Sequence, residues 1–272
     1  MRAGRLAQRT YKTGRGRGWV FPAVMALLML TGWALWRQPG PEPALTVEPA
    51  PTLSPAESAL AERTLTLPGQ SWYALQLGLF DTPQAARQQA EAFRARGAGG
   101  YVMEKEGWRV LAAAYTARAD AQAVQHQLKT RSGVDTVIVE IQQPQVTLGL
   151  KGQQAQLTAL SDALDGVGKL TEHVSALSAA LDEGKLTLQE AQAALQSERD
   201  TLNALNGQLA RLFPSAVHPA VTGLEALLAD SAQSLDGALS APTALGLGAQ
   251  LKFCQLQCLC RMAAYAAELS EC

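Results

Sequence analysis

Between Ser71 and Ile141 the chain changes its hydrophobic rhythm in an ordered way, and it does so twice. Ser-Trp-Tyr-Ala-Leu-Gln-Leu-Gly-Leu-Phe over 71 to 80 alternates with the period of two that a half-buried strand requires. An Ala/Gln/Arg stretch follows with Ala86, Ala90 and Phe93 at helical spacing, and Gly-Tyr-Val-Met-Glu over 100 to 104 returns to strand. The second half repeats the series: a strand over Trp108 to Tyr115, a helix over Ala117 to Arg131 through Ala121, Val124 and Leu128, and a strand over 134 to 141. Asp81 or Thr82 can cap the first helix, Pro83 suits its first turn, and Gly97 and Gly133 close the two helices. Two strand-helix-strand units of one size predict a small α+β domain over 70 to 142, with a four-stranded antiparallel sheet and two helices on one face.

The alternation assigns faces. Tyr73, Leu75, Leu77 and Leu79 point one way along the first strand, and Trp72, Ala74, Gln76, Gly78 and Phe80 point the other. The leucine face needs an apolar partner and the two helices supply it, which leaves the opposite face bare. Carried to the other strands, the same alternation turns Tyr101, Met103, Trp108, Val110, Ala112, Val137, Val139 and Ile141 toward the helices. Gln76, Val102, Glu104, Arg109, Leu111, Ile138 and Glu140 then line the open face.

After Pro144 the strand signal stops. Leu157, Leu160, Leu164, Val167, Leu170, Val174, Leu177 and Leu181 recur at steps of three and four, Glu183-Gly184 interrupts them, and a second seam runs from Leu188 to Leu212 before Pro214. Neither seam can be buried by its own helix, so the pair predicts a hairpin or self-association, with shorter helices at about 219 to 238 and 247 to 270. Residues 143 to 272 therefore read as an all-helical bundle, a spacer or a docking surface for a protein partner.

The N-terminal part differs in kind. Residues 1 to 18 form a basic tail carrying Arg2, Arg5, Arg9, Lys12, Arg15 and Arg17 without an acidic residue, although the whole chain has a net charge of -1. Trp19 to Trp36 is uncharged, and at 1.5 Å per residue a helix there spans roughly 27 Å. Aromatic ends and upstream cations predict a transmembrane signal-anchor with the tail inside and the rest outside the cell. A cleaved signal peptide is the alternative, but Trp33, Trp36, Arg37 and Gln38 offer no small-x-small cleavage site. Residues 37 to 69, rich in Pro, Ala, Thr and Glu, read as a flexible linker.

Trp72-Tyr73-Ala74-Leu75-Gln76-Leu77-Gly78-Leu79-Phe80 followed by Ala85-Ala86, Gly97, Trp108-Arg109-Val110, Ala121 and Gly133 give residues 71 to 142 a resemblance to the sporulation-related repeat, or SPOR, domain. The resemblance implies a ribonucleoprotein-like fold whose exposed sheet binds peptidoglycan glycan strands stripped of stem peptides, in a single-pass protein of the bacterial cytoplasmic membrane acting in division or sporulation. Gln76 matches the family glutamine of the first strand and Arg109 the arginine opening the third. Ala113 stands where glycine is usual, and Leu111 where a polar or basic residue is common.

The residues carry compatible chemistry. Amide and guanidinium groups satisfy sugar hydroxyls and N-acetyl carbonyls, and an aromatic face covers a pyranose ring. The candidate glycan-binding residues are Gln76, Arg109, Trp72, Leu111, Phe80 and Tyr115. Each has a plainer reading: a surface amide for Gln76, an ion pair with Glu104 or Glu140 for Arg109, and anchors of strand-to-helix turns for Phe80 and Tyr115. On the surface reading, Gln76→Ala weakens retention on glycan and leaves stability within about 0.5 kcal/mol. Nucleic acid is not an expected partner, because the central exposed positions offer Gln76 and Leu111 where stacking rings belong. No catalytic residue, cofactor or metal is assigned: His126, His173 and His218 are scattered, and the chain has no phosphate-cradling glycine loop, nucleophile elbow or H-E-x-x-H. Cys254, Cys258, Cys260 and Cys272 lack a paired C-x2-C knuckle and are open between disulfides and free thiols.

Overall fold

The computed structural model describes residues 60–215 and 218–271. Strands β1 (Leu60–Leu67) and β2 (Gln70–Phe80) lead into helix α1 (Pro83–Arg94), strands β3 (Tyr101–Glu104) and β4 (Trp108–Tyr115), helix α2 (Arg118–Ser132), and strands β5 (Val137–Gln143) and β6 (Val146–Gln153). Four helices follow: α3 (Gln154–Asp182), α4 (Leu188–Leu212), α5 (Pro219–Leu239) and α6 (Ala244–Ser270).

Helix α1 starts where Thr82 Oγ1 accepts the Ala85 N–H at 3.3 Å and Pro83 occupies the first turn. The chain leaves it through Gly97 at φ 92°. Arg94 folds back over this exit, donating from Nε to Gly99 O at 3.3 Å and from Nη2 to Gly100 O at 3.1 Å.

The central sheet is antiparallel in the order β3-β4-β2-β5. Leu75 and Ala112 pack on Ala121 of α2, and Val110 packs on Ala86 and Ala90 of α1. The pairing of β2 with β4 shifts register on either side of Gln76. Such bulges break the period of two, and beyond the second one Phe80 joins Trp108 and Phe93 on the α1 side instead of following Trp72. The face assignment of β3 and part of β5 is corrected as well. Val102 and Ile138 lie toward α1 and α2, while Tyr101, Met103 and Ile141 lie on the opposite face.

A second sheet, a two-stranded ribbon of β1 and β6, was not expected. It takes its first strand from the end of the linker and its second from the start of the helical region. Leu65 pairs with Leu148 and Leu67 with Val146, and these side chains face the bundle, where Leu65, Leu67 and Val146 join its core. The ribbon thus runs both connections of the central sheet back to the helices.

The α3 seam packs into one core with α4 and α5. Gly184 at φ 68° ends the first leg, and Thr187 opens the next with a capping box: its Oγ1 accepts the Glu190 N–H at 3.3 Å while Glu190 Oε2 accepts the Thr187 N–H at 2.9 Å. The helices bury their seams within this one chain.

The expected class, a membrane helix preceding the α+β domain, is corrected. Among the described residues no helix is long and apolar enough to cross a membrane. The run Trp19 to Trp36, which carried the transmembrane signal-anchor reading, lies outside the described residues, as do the basic tail and the linker as far as Ala59. Neither the span nor a single-pass location at a bacterial cytoplasmic membrane is therefore retained.

Candidate functional site

The face expected to be bare is covered by α6. Leu256 and Leu259 of this helix pack against Trp72, Ala74, Leu111, Ala114 and Ile141, with Tyr101, Met103, Cys260 and Ala263 around them. Residues on its other sides, Leu247, Leu251, Cys254, Cys258, Tyr265, Ala266 and Leu269, belong to the bundle core. Polar contacts hold the approach. Gln255 Nε2 donates to Ala114 O at 3.3 Å, and Lys252 Nζ donates to Gly97 O at 3.1 Å while pairing with Asp182 of α3 at 2.8 Å. Phe253 stacks at a tilt on Tyr101, ring centres 5.7 Å apart, under the Arg94 guanidinium at 4.7 Å.

Of the candidate binding residues, the structure brings Gln76 and Arg109 together. Arg109 donates from Nη1 to Gln76 Oε1 at 2.8 Å, from Nη2 to Glu106 Oε2 at 3.1 Å and from Nε to Lys105 O at 2.9 Å. The ion pair expected with Glu104 or Glu140 forms with Glu106 in the β3–β4 turn instead. The other four are placed elsewhere. Trp72 and Leu111 are buried against α6, and Phe80 and Tyr115 pack on the α1 and α2 side. The large apolar side chains exposed near the pair are Leu79 at 52% and Val137 at 58%, which stand opposite Arg109 and Gln76 in the ladders.

Gln76 is only 8% exposed, so it is not the surface amide expected. Gln76→Ala leaves a half-buried guanidinium N–H without its acceptor, and we expect a loss of about 1–3 kcal/mol in urea unfolding. A loss below about 0.5 kcal/mol, the size typical of a surface change, would mean the pair is not held.

The three described cysteines are free thiols. Burial pushes Cys254 up to about 12, Cys258 to about 11 and Cys260 to about 12, so all three are neutral and poorly nucleophilic near pH 7. Cys254 Sγ lies 2.9 Å from Ser234 Oγ, and Cys258 Sγ 3.4 Å from Ser231 Oγ, which seats both in the α5–α6 contact. Among the described residues no group of His, Cys, Asp and Glu is arranged to hold a metal ion.

Comparison of the chain with protein-family models, with curated proteins and with solved structures gives no match. The site therefore has to be read from its own residues.

The residues that decide this site and went unread are those of α6. A signal for them exists in the sequence. Leu256, Leu259, Met262, Ala263, Ala266 and Leu269 account for one apolar side, yet Leu247, Leu251, Cys254 and Cys258 supply another. A helix that is apolar on two sides has two partners to meet, and the bundle is only one of them.

Proposed function

We propose that this chain is a non-catalytic glycan-recognition protein, with peptidoglycan glycan strands stripped of stem peptides as its ligand, as its resemblance to the sporulation-related repeat implies. The observation that carries this reading is the juxtaposition of Gln76 and Arg109 on neighbouring strands within the duplicated strand-helix-strand layout. These are the two residues that match the family's binding positions. The reading assigns no chemistry to the chain beyond holding sugar. It also requires that sugar be met away from the area under α6. Releasing that helix would expose Leu256 and Leu259 to water on one side and strip Trp72, Ala74 and Leu111 of their cover on the other.

A second reading, an interaction scaffold whose sheet serves as an internal interface, is favoured by the same α6 contact. Co-sedimentation of the full chain with peptidoglycan sacculi separates the two. Recovery that rises when an amidase has first removed the stem peptides supports glycan recognition. Recovery no better than that of an unrelated protein, on both intact and stripped sacculi, overturns it in favour of the scaffold.

A further inference from the structure

The guanidinium of Arg109 makes contacts of two kinds. Nε donates to Lys105 O at 2.9 Å and Nη1 to Gln76 Oε1 at 2.8 Å, so a main-chain carbonyl and a buried amide set its orientation. The third contact, from Nη2 to Glu106 Oε2 at 3.1 Å, goes to a side chain that is 79% exposed. An exposed ion pair of this kind is weak, and water or another acceptor can replace it at little cost. Arg109 keeps its two orienting contacts when Glu106 leaves.

Glu106 also stands on unusual backbone. It lies at φ 51° in the β3–β4 turn, the one residue other than glycine with positive φ among the described residues, and Gly107 follows at φ 108°. Left-handed backbone disfavours a residue with a Cβ, and glycine or asparagine is the usual choice in such a turn. The glutamate found there lays its carboxylate on Arg109. What surrounds that carboxylate is rich in donors. Each terminal nitrogen of Arg109 carries a second N–H. Gln76 Nε2 has no hydrogen-bond partner among the described residues and is not sealed from water. Lys105 is exposed in the same turn and is in no ion pair among the described residues. Leu79 and Met103, which stand opposite Arg109 on the two neighbouring strands, make the rim apolar.

We infer that Glu106 is an internal stand-in for a carboxylate of the ligand and holds the Gln76–Arg109 site closed until that carboxylate displaces it. On binding, the ligand's oxygen takes the place of Glu106 Oε2 on Arg109, the Gln76 amide N–H and the Lys105 ammonium are the further donors, and Glu106 turns out to water. The inference rests on the glycan reading for the carrier of the carboxylate and deepens it. An amidase that cuts a stem peptide from its sugar hydrolyses an amide and leaves a carboxylate on the strand.

Nuclear magnetic resonance of the Arg109 Nε–H in the full chain, titrated with sodium propionate against sodium chloride at equal ionic strength, tests it. A saturable shift is expected with propionate alone. Glu106→Gln and Glu106→Gly are both expected to tighten it by about two- to fivefold, the gain from removing a competitor held by one exposed ion pair. Glu104→Gln removes the same charge from the residue opposite Trp108, on the α1 side of the sheet, and is expected to change the affinity far less. The absence of a saturable shift in every chain overturns the inference. Binding no tighter than the parent's in both Glu106 variants overturns it too, because Glu106 would then support Arg109 or be idle. An equal gain in Glu104→Gln likewise overturns it, reducing the effect to overall charge. Sedimentation with amidase-stripped sacculi separates this outcome from the glycan reading. Tighter propionate binding in chains that do not sediment leaves the gate standing and removes the glycan, whereas sedimentation without a propionate shift removes the gate and keeps the glycan.

Discussion

Replacing Leu256 by alanine is expected to lower the free energy of unfolding by about 2–5 kcal/mol, the range for removing a fully buried leucine side chain. Leu256 is 0% exposed and stands at the centre of the contact between α6 and the central sheet, against Trp72, Ala74 and Leu111. The cost is large because neither wall can collapse easily. One wall is a hydrogen-bonded sheet backed on its other side by α1 and α2, and the other is a helix whose remaining faces are fixed in the bundle. Urea unfolding followed by both tryptophan fluorescence and circular dichroism should show one transition moved to lower denaturant. A change below about 1 kcal/mol, or a sheet transition that stays put while the helices melt earlier, would mean that α6 is not seated on the sheet.

Gly99→Ala is expected to act on the same interface from the backbone side. A Cβ at this position would lie 2.8 Å from Ala112 O and 3.0 Å from both Lys252 C and Phe253 N. These are main-chain atoms of β4 on one side and of α6 on the other, so no side chain can swing away to make room. The Gly99 N–H also donates to Ala112 O at 2.7 Å, which ties the residue to the strand. The added methyl must push α6 outward or bend that hydrogen bond, at a cost of about 1–3 kcal/mol. Hydrogen exchange places the damage: faster exchange in the α6 segment over the sheet and in β4, with α4 unchanged. Wild-type protection throughout α6, together with wild-type stability, would contradict the close approach.

How much could be read in advance varies with the physical origin of each feature. The strand, helix and turn positions of 71 to 141 were legible because local patterns carry them: alternation along β2 and β4, helical spacing of Ala86 and Ala90, Pro83 at a helix start, Gly133 at a helix end. The faces of β3 and β5 were not, because which residues stand opposite one another is set by strand pairing: Tyr101 stands opposite Leu111 and Ile141 opposite Trp72, and each pair shares the face under α6. The β1–β6 ribbon was overlooked although Leu65, Leu67, Val146, Leu148 and Leu150 alternate plainly. Each half has only one partner, and the whole central domain separates the two in sequence.

The candidate residues divide along the same line. Gln76 and Arg109 were expected on one open face of the sheet, and strand pairing made them hydrogen-bonded neighbours. Trp72 and Leu111 were chosen as exposed because nothing nearby in the chain covers them. Gln143, Gln255 and Lys169, which line one cleft between the central sheet and α3, share no spacing or motif that would have grouped them.

Periodicity along the chain therefore settled the strands and helices of 71 to 141 and the helical seams after them, since these follow from neighbours a few residues away. It did not settle what each apolar side meets. The Gln255 to Ala114 hydrogen bond joins residues 141 apart, and a contact of that range leaves no mark on the local pattern of either partner. Closing α6 onto the sheet is a matter of packing between finished elements, and that packing turned an expected binding platform into an internal interface and left the cleft beside it.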